Sequence, residues 1–218
     1  MNTYLLLHGG AGSQSMRAFA DLLTRRTGTR VLVPTHPGFA GTERPDHLDS
    51  VAALARHYDT MLDEQDLHDV IVIGNSIGGW VAAEMALLGN PRLAKVVLVN
   101  AVGLDVPEQP VTDVSNLTGA QLAALSFHAP EKRPVGPGPD VGALRAYTGM
   151  RMTDPTLRER LAGVKVPVHV VWGASDGIVS PAYGRAWADA IAGAGFTLLP
   201  EAGHLPQLEA PERLLALV

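Results

Sequence analysis

The stretch Asp69-Val70-Ile71-Val72-Ile73-Gly74-Asn75-Ser76-Ile77-Gly78-Gly79 decides how this chain is read. Val70 to Ile73 is an unbroken β-branched run, suited to a strand covered on both faces. The segment after it, Trp80-Val81-Ala82-Ala83-Glu84-Met85-Ala86, has the composition of a helix. Between them lies G-x-S-x-G, with glycines two residues to either side of Ser76. Those glycines let a strand-to-helix turn close without a Cβ clash. Such a turn holds a serine where a base can reach its proton and backbone N–H groups can meet a developing oxyanion. Ser76 is the candidate nucleophile, and an ordinary Gly-Ser turn is the structural alternative.

Further runs of the same kind flank this one: Tyr4 to Leu7, Arg30 to Val33, Lys95 to Asn100, Val168 to Trp172 and Phe196 to Leu199. Six apolar runs separated by helical segments predict an α/β fold with a mostly parallel sheet of about six strands and helices on both faces. Between Asp49 and Leu67, Val51, Leu54, Tyr58, Met61 and Leu62 recur at helical spacing, so Tyr58 and Met61 read as core. Other helices are predicted near Ser15 to Thr27, Ile77 to Leu88 and Pro181 to Ala194, with Pro181 and Pro211 suited to first-turn positions. The alternation breaks between Leu104 and Gly163, where Pro107, Pro110, Pro130, Pro134, Pro137 and Pro139 interrupt short helical pieces, Thr118 to Phe127 and Val141 to Met150. The expected organisation is a core of residues 1–103 and 164–218 with a small helical cap at 104–163, since a long insertion above a ligand crevice is usually an ordered lid.

Composition narrows the classes of function. The chain has 218 residues, enough for one domain with its own core. Its 17 basic and 22 acidic side chains leave no cationic excess for phosphate or an anionic membrane, which argues against nucleic-acid and membrane partners. With no cysteine, disulfides, thiolate metal sites and cysteine nucleophiles are all excluded. The start, Met1 to Leu7, lacks a basic n-region and reads as a core strand. A cytoplasmic protein is expected, as a monomer or homodimer.

A serine used for acyl transfer needs a base, an orienting acid and an oxyanion hole. For the base, His204 lies in Pro200-Glu201-Ala202-Gly203-His204-Leu205, a loop between the last strand run and the Pro211 helix. Of the other histidines, His36, His47, His57, His68 and His128 read as solvated or locally hydrogen-bonded. His169 reads as packed within a strand, and His8 as a residue fixing its own loop. For the acid, Asp176 follows the strand run that ends in Trp172. It could instead cap a helix or an Asx turn, and Asp105 is the alternative acid. For the hole, Ile77 N–H stands directly after the nucleophile at a helix start, and Gly10, with Ala11 close behind, supplies a second donor from the turn His8-Gly9-Gly10-Ala11-Gly12. That turn lacks the Lys-Ser/Thr ending of a P-loop and the spacing of a dinucleotide site, so it is not read as a nucleotide cradle.

With these residues in place, the chain resembles the α/β-hydrolase superfamily, specifically its smaller cap-bearing members. The likeness rests on His8-Gly9-Gly10, on Pro34-Thr35-His36-Pro37-Gly38-Phe39-Ala40-Gly41, on the Gly74 to Gly79 elbow, on Trp172 to Asp176 and on Gly203-His204. The chain order Ser76, Asp176, His204 is that of the family. The resemblance implies an active site above the carboxyl ends of the strands. Its expected chemistry is a serine hydrolase cleaving a small-molecule carboxylic ester or related acyl compound through an acyl-enzyme, with no metal or organic cofactor. Thioester, lactone and perhydrolytic reactions stay open, as do a C–C bond hydrolase of the meta-cleavage-product type and a low-turnover ligand-binding protein. Haloalkane dehalogenases and epoxide hydrolases of this superfamily normally use aspartate as nucleophile, so Ser76 argues against both. Trp80, Phe127, Tyr147, Met150 and Met152 are candidate pocket residues. Two departures from the family pattern stand out: the usual first two strands are lacking, and the final helix is short.

Overall fold

The strand-forming runs assemble into one sheet in which every neighbouring pair is parallel. The computed structural model describes residues 3–134 and 138–218; Met1, Asn2 and 135–137, the middle of the proline-rich stretch 134–139, lie outside the described residues. In chain order the strands are β1 (Thr3–Leu7), β2 (Arg30–Leu32), β3 (Val70–Asn75), β4 (Leu93–Val99), β5 (Gly103–Leu104), β6 (Thr153–Asp154), β7 (Val168–Gly173) and β8 (Gly195–Leu199). The helices are α1 (Gln14–Thr27), α2 (Val51–Glu64), α3 (Ile77–Leu88), α4 (Gly119–Ser126), α5 (Val141–Thr148), α6 (Leu157–Arg160), α7 (Pro181–Ala190), α8 (Pro206–Glu209) and α9 (Pro211–Leu215). The main sheet runs β2-β1-β3-β4-β7-β8.

Alternate residues of each central strand feed two separate cores. Leu5, Leu7, Val70, Val72, Val96, Leu98, Val170 and Trp172 join the core that contains Leu54 and Tyr58 of α2, Val81 of α3 and Trp187 of α7. Tyr4, Leu6, Ile71, Ile73, Val97, Val99 and Val171 join the core that holds Met16, Phe19 and Leu23 of α1 and Leu214 of α9. Helices on both faces are the reason the strand sequences are apolar throughout and not alternating.

The chain leaves β1 outward to β2 and returns to β3 on the other side, so strand order reverses between β1 and β3. In an open parallel sheet the loops there diverge and leave a crevice at the carboxyl ends of the strands. The turn after β1 and Ser76 after β3 meet at that point. The loop after β7 carries Asp176 and the loop after β8 carries His204, on the same edge.

Several helix ends differ from the sequence reading for local reasons. Thr118 is the N-cap of α4, with a capping box to Gln121, so it stands outside the helix. α5 stops at Thr148 because Gly149 takes positive φ, and α7 stops at Ala190, where the chain turns through Gly193 at φ 76°. A feature the sequence did not announce is the two-rung parallel ladder of β5 with β6. It draws Thr153 and Asp154 against Gly103 and Leu104, at the start of the segment from 104 to 163.

Candidate active site

The β3–α3 turn is built as the sequence requires. Ser76 has φ 57° and ψ −120°, a conformation that side chains rarely adopt. Its N–H donates to Val99 O at 3.0 Å and its carbonyl accepts from Gly79 N–H at 3.0 Å. A Cβ on Gly74 would stand 2.1 Å from Gly78 O, and one on Gly78 would stand 2.1 Å from Leu7 O. Only glycine at both positions lets α3 start against β1. A Cβ on Gly9 would come 2.9 Å from Ser76 Cβ, so the turn after β1 lies directly against the serine. That turn closes through Gly12 N–H to Gly9 O and Ser15 N–H to Gly12 O, both 3.1 Å. Among the described residues the Gly10 and Ala11 amides donate to no backbone carbonyl.

His204 and Asp176 meet across the loops after β8 and β7. His204 Nδ1–H donates to Asp176 Oδ2 at 2.8 Å, with side-chain exposures of 10% and 0%. A carboxylate oxygen only accepts, so the proton of the neutral ring sits on Nδ1 and Nε2 keeps its lone pair. Asp176 is held from every side: Oδ2 also accepts from Asn100 Nδ2 at 2.6 Å, and Oδ1 accepts from the Ile178 and Val179 amides at 2.8 and 3.1 Å. Asp105, the alternative acid, makes no such contact with His204.

Ser76 and His204 open onto one cavity of about 580 Å³, whose lining also includes Gly10 and Ala11. No hydrogen bond joins Ser76 Oγ to the ring among the described residues; hydroxyl–base contacts of this kind commonly tighten only when substrate is bound. The walls are mostly apolar, with Val114, Leu122, Ala123, Phe127 and Leu144 reaching in from the segment between β5 and β6, and Val102, Ile178, Leu205 and Leu208 from the sheet side. Arg133, exposed, is the one cation among the described lining residues.

Of the five candidate pocket residues, Phe127 and Met152 line this cavity and three do not. Trp80 is buried in the core against Gly103, its indole N–H donating to Glu84 Oε1 at 3.3 Å. Tyr147 stacks on Phe39 and donates its hydroxyl to Pro37 O at 2.8 Å. Met150 is 69% exposed. Sequence position alone could not separate these, because a bulky side chain in the inserted segment packs equally well against the core, the cavity or nothing.

His36 is also corrected. It is buried, neither solvated nor bonded only to near neighbours in sequence: with Tyr58 and His8, 22 and 28 positions away, it forms a closed hydrogen-bond network beneath the turn after β1. His36 Nε2–H donates to His8 O at 2.9 Å and His36 Nδ1 accepts from the Tyr58 hydroxyl at 2.6 Å. His8 Nδ1–H donates to Gly9 O at 2.7 Å, and His8 Nε2 accepts from His36 N–H at 3.0 Å. Each ring uses one donor and one acceptor, which only neutral imidazoles provide. Burial pushes His8 down to about 4 and holds His36 well below its ordinary value.

Three further amide side chains hold the loops and were not anticipated. Asn75 Nδ2 donates to Val99 O at 3.2 Å and to His204 O at 2.9 Å, so the residue before the serine grips the backbone of the histidine. Gln207 Nε2 donates to Asn75 Oδ1 at 3.2 Å. Asn100 Oδ1 accepts from Gly173 N–H at 3.2 Å while its amide holds Asp176. The only sequence signal for Asn75 and Asn100 was their position at the carboxyl end of β3 and directly after that of β4; Gln207, inside α8, had none. Among the described residues no group of three or more His, Asp or Glu is arranged to hold a metal ion.

Comparison with known proteins identifies the family. A family model described as the alpha/beta hydrolase family matches residues 4–217. The chain belongs to the alpha/beta hydrolase family. Its relatives include "Epoxide hydrolase EphH" of Mycobacterium tuberculosis, 28% identical over 200 residues that cover 78% of this chain and 93% of that protein. "2-hydroxymuconate semialdehyde hydrolase" of Pseudomonas putida is 32% identical over 109 residues, 47% of this chain and 37% of the other. Among solved structures, a thermophilic esterase from Thermogutta terrifontis superposes with a TM-score of 0.78 at 23% identity, covering 100% of this chain and 88% of that one. This last likeness concerns the hydrolase fold alone. No described helix of this alpha/beta hydrolase is long and apolar enough to cross a membrane.

Proposed function

We propose that this alpha/beta hydrolase is a serine hydrolase that cleaves a carboxylic ester, or a related small acyl compound, through an acyl-enzyme. The contact between His204 Nδ1 and Asp176 Oδ2, beside a serine that opens on the same cavity, carries this reading. His204 Nε2 takes the Ser76 hydroxyl proton as Oγ attacks the carbonyl carbon, and Asp176 holds the imidazolium that results. The amides of Gly10 and Ile77 receive the oxyanion, with the α3 N-terminus adding its dipole. His204 then protonates the departing alcohol. Water, deprotonated by the same nitrogen, attacks the acyl-enzyme carbonyl and releases the acid.

The residue at position 76 bears on the rival chemistries. A serine that opened an epoxide would be left as an alkyl ether, which has no carbonyl for water to attack, so covalent turnover would stop. A muconate carries a carboxylate, and the described lining offers it only the exposed Arg133. Apolar walls around about 580 Å³ suit an uncharged acyl chain of medium length.

The test combines a fluorophosphonate probe with p-nitrophenyl esters from acetate to dodecanoate. Wild type is expected to label, and kcat/KM to rise from acetate to hexanoate by more than about tenfold and by no more than about 200-fold, since each of the four added CH₂ groups contributes about 0.8 kcal/mol when fully buried. Ser76→Ala should abolish both. Ester turnover that persists in Ser76→Ala would overturn the proposal.

A further inference from the structure

The mechanism above leaves one carboxylate at the site unused. Glu209, the last residue of α8, points its side chain back at the loop that carries His204. Its Oε2 accepts from Gly203 N–H at 2.7 Å and from His128 N–H at 3.2 Å, and its Oε1 accepts from Ala129 N–H at 3.0 Å. Gly203 directly precedes His204. His128 and Ala129 directly follow Phe127, which lines the cavity at the end of α4.

Two backbone bonds run along the same seam. His204 N–H donates to Ser126 O at 2.7 Å, and Gly177 N–H, one residue beyond Asp176, donates to Leu125 O at 2.8 Å. The approach is close enough to exclude a Cβ on Gly203, which would stand 2.4 Å from Ser126 O, and to crowd one on Gly177, which would stand 3.1 Å from Leu125 O. The loops of the acid and of the base therefore take their positions from the end of α4. A side chain that binds amides on both sides of the seam sets that distance, and hydrogen bonds to a charged acceptor are the strong ones.

We infer that Glu209 is a positioning residue: its carboxylate clamps the His204 loop to the end of α4, so that the base and the roof of the cavity stay in register. This rests on the serine-hydrolase reading of Ser76 and His204. Displacing a base by an ångström costs up to about 100-fold in rate, whereas the cavity walls that set binding do not include Glu209.

The test compares Glu209→Ala and Glu209→Gln with wild type in two measurements. In the first, fluorophosphonate labelling is followed to completion, which separates the fraction of competent sites from the rate per site, with kcat and KM on p-nitrophenyl acetate alongside. Glu209→Ala should label to the wild-type stoichiometry but about 10- to 100-fold more slowly, with kcat lowered in parallel and KM within about twofold. Glu209→Gln, whose remaining oxygen still accepts amide protons, should return to within about fivefold of wild type. A role in folding alone would lower the labelled fraction and leave the rate per site unchanged, and that result would overturn the clamp; so would Gln no faster than Ala. In the second, amide hydrogen exchange should quicken in Glu209→Ala at Gly203, His204, His128 and Ala129 and stay unchanged in β3. This arm decides the clamp even if wild type fails to label, a result that would count against the Ser76 reading alone. Unaltered exchange on both sides of the seam overturns the clamp in every case.

Discussion

Asp176 shows how much of one residue's role lies in its partners. Its two oxygens accept from His204, Asn100, Ile178 and Val179, so the carboxylate cannot rotate away from the imidazole. Replacing it with asparagine puts an N–H₂ or a neutral oxygen opposite His204 Nδ1 and removes the charge that stabilises the imidazolium. Asp176→Asn is expected to lower kcat/KM on the best p-nitrophenyl ester by about 10³- to 10⁴-fold. A loss under tenfold would show that another group orients the base. Ser76, Asp176 and His204 were legible in the sequence because each sits in a Gly-rich loop just after a strand run. Asn75, Asn100, Gln207 and Glu209 were not. Each acts by a hydrogen bond to a residue remote in sequence, as in the 129 positions between Asn75 and His204, and local composition carries no trace of such a partner.

At the scale of elements, the elbow depends on how closely α3 approaches β1. Since a Cβ at position 78 would meet the Leu7 carbonyl at 2.1 Å, Gly78→Ala must push the start of α3 off the sheet and move the Ile77 amide with it. Overpacking of this kind costs about 1–3 kcal/mol. Urea denaturation should register that loss, and labelling of Ser76 should slow with it; an unchanged midpoint would mean the turn relaxes without cost. The segment between β5 and β6 illustrates the limit of reading elements from sequence. Its helices α4 and α5 were legible as short helical pieces, Thr118 to Phe127 and Val141 to Met150, and the structure adds that Thr118 and Asp140 cap them, with Asp140 Oδ1 accepting from Ala143 N–H at 3.0 Å. Which of their side chains face the cavity was not legible, because helices of eight residues offer too few turns to define a face.

Across the whole molecule, acid stability follows from the buried histidine pair. Burial holds His8 at about 4 against an ordinary 6.5, and keeps His36 well below its ordinary value, with the charge of His8 opposing its protonation. The unfolded chain binds these protons below pH 6.5 and the folded chain does not, so stability is complete above about 6.5 and is lost as pH falls toward 4. For His8 alone that interval corresponds to roughly 3 kcal/mol. Urea midpoints measured from pH 7.5 to 4.5 should fall with this slope in wild type and less steeply in His8→Gln, which takes up no proton in either state. Equal slopes in the two chains would contradict the assignment.

The sequence by itself determined the parallel α/β sheet, the elbow and the loops that carry the serine, the carboxylate and the imidazole. Those are local properties: β-branched runs, helical spacing and glycines at turns follow from the sterics of a few neighbouring residues. The tertiary structure alone decided that His8 and His36 are buried and neutral, that Phe127 and Met152 line the cavity while Trp80, Tyr147 and Met150 do not, and that Glu209 joins α4 to the His204 loop. Those depend on which distant surfaces meet once the strands pair, and burial and hydrogen-bond partnership exist only after that meeting.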